Sequence, residues 1–362
     1  MVVAHWSLEQ LGWSAFFAEL FAPYAAKGLA PARVAVQHKS RYDLYTERGT
    51  MSGQLAGAFR HQAAGTADLP VTGDWLAIRP EPDGRRATIH ATLPRRSAFR
   101  RKTAGDETTE QVLTANVDVL FLLASLSEPL NFRRLERYLV MAWESGASPV
   151  VVLSKADRCE NADALALEVM SLAPGVPVHV TSSVTGQGLP ELGGYFLGQR
   201  TVALLGASGV GKSRLINRLV GQDVQRVNAT RSKDGKGRHT TTRRELLVVP
   251  GGGLIMDTPG LRALELWSAD EGLSGAFDDI AGLAPQCRFA DCRHDDEPHC
   301  AVKTAVERGA VPAERLESYR KLQRELAHLE RQQSHRARTA AKSFAREVER
   351  SVRQLRLHRP KG

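Results

Sequence analysis

Apolar and polar positions follow different periods in successive parts of this chain, and the changes of period divide it. From Leu8 to Ala26, Leu11, Phe16, Leu20 and Phe21 recur at helical spacing, which predicts an amphipathic helix packed on the next domain. From Ala32 to about Ala98 the pattern becomes alternating. Short segments (RVAVQHK, DLYTERG, MSGQLAGAFR, DWLAIRP, RATIHATL) are separated by turns at Gly49, Gly73 and Asp83-Gly84. About five short strands in so small a region predict a closed β-barrel, with the OB-fold a natural candidate. Such a barrel either binds RNA or packs against its neighbour.

Beyond residue 115 the apolar runs become continuous, as expected of strands buried on both faces. Val117–Ala124, Pro149–Leu153, Val176–Val180, Thr201–Leu205 and Leu254–Met256 read this way. Helical segments lie between them: Asn131–Glu144 with Leu135, Leu139 and Trp143 on one side, Ala162–Leu172, and Arg214–Val220 with Leu215, Ile216 and Leu219 on one face. Strands alternating with helices predict a parallel, doubly wound sheet. Pro312 to Arg356 returns to helical spacing with Leu316, Tyr319, Leu322, Leu326 and Leu329. The expected architecture is multidomain: an N-terminal helix and OB-type β-barrel over 1–105, an α/β domain over 106–278, and an α-helical C-terminal domain over 279–362.

Composition narrows this picture. The apolar fraction of 42% and charged fraction of 25% are those of globular proteins, and no apolar run is long enough to span a membrane. The start, MVVAHWSLEQLGW, lacks a basic segment followed by an apolar core, so a signal peptide is not expected and the cytoplasm is. The net charge of +9 favours a polyanionic partner. Two runs concentrate it: Arg95, Arg96, Arg100, Arg101 and Lys102, and the stretch from Arg331 to Gly362, with ten Lys or Arg against two Glu. Each reads either as a solvated face or as a phosphate-backbone contact.

Candidate chemistry is concentrated at one turn. After the strand Thr201–Leu205, residues Gly206, Ala207, Ser208, Gly209, Val210, Gly211, Lys212 and Ser213 match the phosphate-binding pattern G-x-x-x-x-G-K-[ST], and a helix comes next. Glycines let the backbone N–H groups curl toward phosphate oxygens, and the helix N-terminus adds its positive end. Lys212 is expected to reach the β- and γ-phosphates and Ser213 to ligate Mg²⁺. Upstream, Ser154-Lys155-Ala156-Asp157 follows a buried strand and is similar to the guanine-reading motif N-K-x-D. The Asp157 carboxylate can accept from both N1–H and the exocyclic amine of guanine, a pair that adenine lacks. Ser154 stands where Asn is usual, so weaker nucleotide binding is expected. Thr181-Ser182-Ser183, ahead of Thr185-Gly186-Gln187-Gly188-Leu189, is similar to the loop that backs the guanine.

Downstream, Asp257-Thr258-Pro259-Gly260 reads as the D-x-x-G switch, with Asp257 on Mg²⁺ through a water and the Gly260 N–H on the γ-phosphate. Between the two lies ATRSKDGKGRHTTTR, where Thr240, Thr241 or Thr242 supplies a hydroxyl to the Mg²⁺ shell, or else the threonines edge a hairpin. Leu261 stands where many GTPases carry a water-orienting Gln, and His239 is the candidate to position or deprotonate the water instead. The base-reading motif precedes the phosphate loop and the switch, the reverse of ordinary small GTPases. This order describes a circularly permuted GTPase, which compact domains tolerate because their ends often lie close together.

The last cluster is Cys287-x4-Cys292-x-His294-x5-Cys300, with His299 a rival fourth ligand. Three thiolates and an imidazole suit one structural Zn²⁺ with no open position.

Taken together, the barrel, the permuted order, GASGVGKS, DTPG, GRHTTT, the phrases PVTGDWL and EQVLTANVD, and the C-terminal CRFADCRHDDEPHCAV resemble the RsgA family of bacterial small-ribosomal-subunit biogenesis GTPases. The resemblance spans nearly the whole chain. It implies a monomeric enzyme hydrolysing GTP to GDP, carrying Mg²⁺ with the nucleotide and one zinc. It also implies binding to the small subunit and its 16S rRNA late in assembly, with stimulation by the subunit. An RNA-binding factor that uses GTP as a switch with negligible turnover, and an ATPase disfavoured by Asp157, are the competing readings.

Overall fold

The structure, a computed structural model, describes residues 5–62, 65–102, 110–221, 244–257 and 270–327. A 3₁₀ turn at Glu9–Leu11 ends at Gly12 in the left-handed region (φ 84°), and helix α1 (Ala15–Ala25) starts only afterwards. This late start resets the helical phase. The buried residues are Leu11, Phe17 and Phe21, while Phe16, expected on the inner face, is 42% exposed.

Five strands close the barrel: β1 (Ala30–Gln37), β2 (Tyr42–Thr46), β3 (Gly49–Leu55), β4 (Trp75–Pro80) and β5 (Arg86–Thr92), with α2 (Gly57–Gln62) after β3. Their order is β1-β2-β3-β5-β4, closed by β1 on β4, with β3 and β5 parallel. This is the OB arrangement. Val34, Leu44, Met51, Leu76, Ile78 and Ile89 alternate inward and fill it. A two-stranded ribbon, β6 (Ala98–Lys102) and β7 (Glu110–Ala115), leads out of it.

The α/β domain then runs β8 (Val119–Ser125), α3 (Phe132–Ser145), β9 (Ser148–Ser154), α4 (Ala162–Leu172), β10 (Val178–Val180), α5 (Leu189–Gly193), β11 (Thr201–Gly206), α6 (Lys212–Val220), β12 (Glu245–Val248) and β13 (Leu254–Asp257). The strands order as β10-β9-β8-β11-β13-β12. All are parallel except β12, whose apolar run Leu246–Val248 is not among the strands read from the sequence above. β12 also pairs with β1 through Glu245 and Val36, so sheet and barrel form one eleven-stranded surface. Among the described residues four further helices come after the sheet: α7 (Asp270–Ala276), α8 (Asp278–Leu283), α9 (Ala301–Glu307) and α10 over 313–327. Gly272 lets α7 sit tight on α3, since a Cβ there would lie 2.5 Å from the Val140 carbonyl oxygen. Arg315 of α10 is 4% exposed and holds Asp279 through two hydrogen bonds of 2.6 and 2.7 Å, with further bonds to the carbonyls of Leu172 and Ala276. It lies 3.8 Å from the buried Glu136 of α3.

One buried charge joins barrel to sheet, and an ion pair braces the barrel itself. Arg33 on β1 donates to the carbonyls of Leu11 (2.5 Å), Gly73 (3.3 Å) and Asn116 (3.0 Å) and to the Thr201 hydroxyl (2.8 Å). Burial pushes its pKa down to about 10, still well above neutrality, so it stays charged. Arg95 belongs by sequence to a basic run that reads as solvated or phosphate-binding. It instead grips the fully buried Asp74 with two bonds of 2.8 Å and donates to the Ala67 and Leu69 carbonyls. Gly73 (φ 95°) is required between them, because a Cβ there would lie 2.1 Å from the Ala115 carbonyl oxygen.

Arg33→Met nearly keeps the volume but takes their guanidinium donor from the Leu11 and Asn116 carbonyls and the Thr201 hydroxyl, while Gly73 keeps its bond from Asn116. A loss of about 3 kcal/mol or more in urea unfolding is expected. A loss below about 1 kcal/mol would show that the guanidinium does not hold the seam.

Candidate functional site

The loops that carry the candidate chemistry leave the carboxyl ends of the parallel strands, so they meet along one edge of the sheet. Gly206–Gly211 turns from β11 into α6 with Gly209 at φ 81° and Gly211 at φ 100°. A Cβ at either would meet nothing within 4 Å, so these glycines serve backbone conformation and not space. The Lys212 ammonium folds over this loop and donates to the carbonyls of Gly206 (2.8 Å) and Ala207 (2.7 Å). Ser213 is next to it in the first turn of α6. β13 runs beside β11, which brings Asp257 out at the same edge.

Ser154 ends β9 and is buried. Its hydroxyl lies 2.6 Å from the Val210 carbonyl and 3.1 Å from that of Ala124, and its single proton serves the shorter contact. The residue that departs from the usual Asn therefore ties the base-reading loop to the phosphate loop. Lys155 takes the left-handed region (φ 63°), and its ammonium reaches the Ser127 hydroxyl at 3.2 Å. Asp157 sits in the 3₁₀ turn Ala156–Arg158, pinned by the bond from Ala156 N–H to the Thr181 carbonyl.

Ser182 is fully buried and donates to Asp157 Oδ1 at 2.5 Å, while its oxygen accepts from the N–H groups of Val184 and Thr185 at 3.2 Å. Its hydroxyl thus fixes the rotation of the carboxylate. Arg218 of α6 donates to the Ser183 and Val184 carbonyls, holding this loop against the phosphate-loop helix. Sequence reasoning does not single out Ser127 or Arg218, because each acts across a distance that no local motif encodes. His239, Thr240, Thr241 and Gly260 lie outside the described residues.

In the C-terminal helical region the ligand atoms of Cys287, Cys292, His294 and Cys300 lie within 4.8 Å of one another. Cys287 Sγ is 3.8 Å from Cys300 Sγ, and His294 Nδ1 is 3.7 and 3.3 Å from these sulfurs. A tetrahedron with metal–sulfur bonds of about 2.3 Å has edges of about 3.8 Å, so this donor set fits one ion without an open position. His299, the rival ligand, is exposed and outside the group. Burial pushes the Cys292 thiol up to about 11, so a bound ion must displace its proton and is held less tightly as pH falls.

The SKAD and TSS loops precede the phosphate loop in the chain yet flank it along one sheet edge, the arrangement of a circularly permuted P-loop GTPase, joined here to an OB barrel and a Cys₃His helical domain. The sequence profile of the RsgA GTPase family matches residues 92–267. A protein of Opitutus terrae named small ribosomal subunit biogenesis GTPase RsgA is 45% identical, covering 90% of this chain and 91% of its own. One of Streptomyces coelicolor with the same name is also 45% identical, over 92% and 90%. Among solved structures, YjeQ from Thermotoga maritima superposes with TM-score 0.64 at 28% identity, over 83% of this chain and 99% of its own. YloQ, described as a circularly permuted GTPase, superposes with TM-score 0.62 at 24% identity, over 83% and 96%. The chain belongs to the RsgA family of GTPases.

Asp157→Ala is expected to remove most discrimination between GTP and ATP in competition binding. Ser182→Ala should remove part of it, about tenfold for the loss of one hydrogen bond to a charged group. Equal affinity of the unmodified protein for the two nucleotides would refute both assignments.

Proposed function

We propose that this protein is a ribosome-stimulated GTPase that binds the small ribosomal subunit and acts late in its assembly. What supports the reading is a guanine-nucleotide edge in a chain whose relatives, aligned over nine-tenths of it, bear a small-subunit biogenesis name. The divisions at 105/106 and 278/279 separate the barrel, the GTPase and the zinc-binding units. The phosphate loop Gly206–Ser213 cradles the phosphates, Lys155 and Asp157 read guanine, and Ser213 and Asp257 hold Mg²⁺. The net charge of +9 suits 16S rRNA, which the barrel and the basic C-terminal stretch contact. The protein acts as a monomer in the cytoplasm.

Turnover depends on the subunit because this chain has no water-orienting Gln after Gly260. Docking brings His239 and a threonine of the segment 239–242 to the γ-phosphate, where His239 positions the water. Small subunits should therefore accelerate GTP hydrolysis. His239→Ala should abolish most of the acceleration while GTP and subunit binding stay near normal. Full stimulation in that variant would move the task to ribosomal RNA, and unstimulated hydrolysis by the unmodified protein would favour a pure binding switch.

The ion held by Cys287, Cys292, His294 and Cys300 is zinc, with a structural role. Freshly purified protein should carry one zinc per chain. Chelation should unfold the region around 285–302 while nucleotide binding persists. Metal analysis without zinc would count against the assignment.

A further inference from the structure

Three arginines lie in the first half of α3, and two of them are committed to α10: Arg133 is 3.2 Å from Glu317, and Arg137 pairs with Glu325. Arg134, exposed between them, donates only its backbone N–H, to the Asn131 cap. Its side chain has no partner among the described residues. It lines a cleft whose facing wall is the phosphate loop from Ala207 to Val210, with Lys155 also on the lining. The loop meets the cleft through Ala207, Val210 and its exposed turn, Ser208 and Gly209; Asp157 and Ser182 do not line it, Glu128 does, and the Lys212 ammonium lies 2.7 Å from the carbonyl of the lining residue Ala207. The free guanidinium is carried by a helix whose other face is buried through Leu135, Leu139 and Val140, with α7 packed against it at Gly272, so it springs from a fixed base.

Phosphoryl transfer spreads negative charge over the γ-phosphate oxygens, and a second cation beside the phosphate-loop lysine stabilises it. We propose that Arg134 is that cation: a catalytic arginine supplied in cis, which reaches from the cleft over Ser208 to the γ-phosphate in the transition state. The water oxygen bonds to Pγ as the bond from Pγ to the GDP oxygen breaks, and the water's proton leaves on inorganic phosphate. Arg134 stays protonated throughout and only redirects its hydrogen bonds. A planar, permanently charged guanidinium presents two parallel N–H donors in a fixed fork, a geometry that an ammonium does not hold.

Arg134→Ala and Arg134→Lys test this in the full-length protein, with thermal unfolding checked first. Single-turnover hydrolysis at saturating GTP, with and without purified small subunits, should fall at least about 100-fold in Arg134→Ala, with little recovery by lysine. Affinity for GDP alone should be unchanged, while the tight complex with GDP and aluminium fluoride should be lost. Unchanged hydrolysis or an intact aluminium fluoride complex overturns the proposal. So does weakened subunit binding with a normal rate at saturation, which would make Arg134 a subunit contact. The stimulated arm rests on the proposed ribosome dependence. If subunits fail to accelerate the unmodified protein, that reading fails, and the basal rate with the aluminium fluoride complex still decides the role of Arg134.

Discussion

The seam between barrel and GTPase depends on one buried guanidinium. Arg33 is 1% exposed and, among the described residues, has no carboxylate in direct contact, so its charge is held by oriented carbonyls and a hydroxyl. Those acceptors come from four places: the turn before α1, the loop before β4, the junction of β7 with β8, and the start of β11. A buried charge is tolerable only when its donors are satisfied, so these four segments are constrained to meet at one point. Asn116 shows how closely. It sits in the left-handed region (φ 57°), gives its carbonyl to Arg33, and uses its side chain on Gly73 and Arg96.

The same logic governs the nucleotide edge. Ser154 ties β9 to the phosphate loop, Ser182 ties the next loop to Asp157, and Arg218 ties that loop to α6. Short hydroxyl and guanidinium links thus replace chain continuity. In an unpermuted GTPase the phosphate loop opens the domain. Here it arrives after the loops that carry Asp157 and Ser182, and what is preserved is the placement of loops at the carboxyl ends of neighbouring strands. Chain order is free to change as long as that edge is kept.

Much of this is legible in the sequence because it is local. The period-two segments mark the barrel strands, the continuous apolar runs mark the parallel sheet, and the phosphate loop, base-reading motifs and cysteine cluster are contiguous patterns. What stays hidden depends on partners far along the chain. Arg95 looks like part of a solvated run because its partner Asp74 lies twenty-one residues away. The phase of α1 differs from the apolar spacing because Gly12 turns the chain before the helix begins. Ser154 looks like a loss when compared with Asn, and only the position of the Val210 carbonyl shows that its hydroxyl is used. β12 has a plain apolar run, Leu246–Val248, but its antiparallel direction and its pairing with β1 depend on strands far along the chain.

The pairing of β12 with β1 also bears on how the molecule can be divided. Val36 lies against Glu245, and the Tyr45 hydroxyl donates to the Leu246 carbonyl at 2.9 Å. The barrel is therefore the sheath over the last strand of the GTPase sheet. Cut away, it would uncover the outer edge of β12, which in the whole chain has one ladder pair with β1 and the Tyr45 bond to Leu246, and open that edge to other strands. It would also strip Asn116 and Thr201 of the donor they share. A catalytic fragment lacking the barrel thus inherits an aggregation problem before it inherits a functional one.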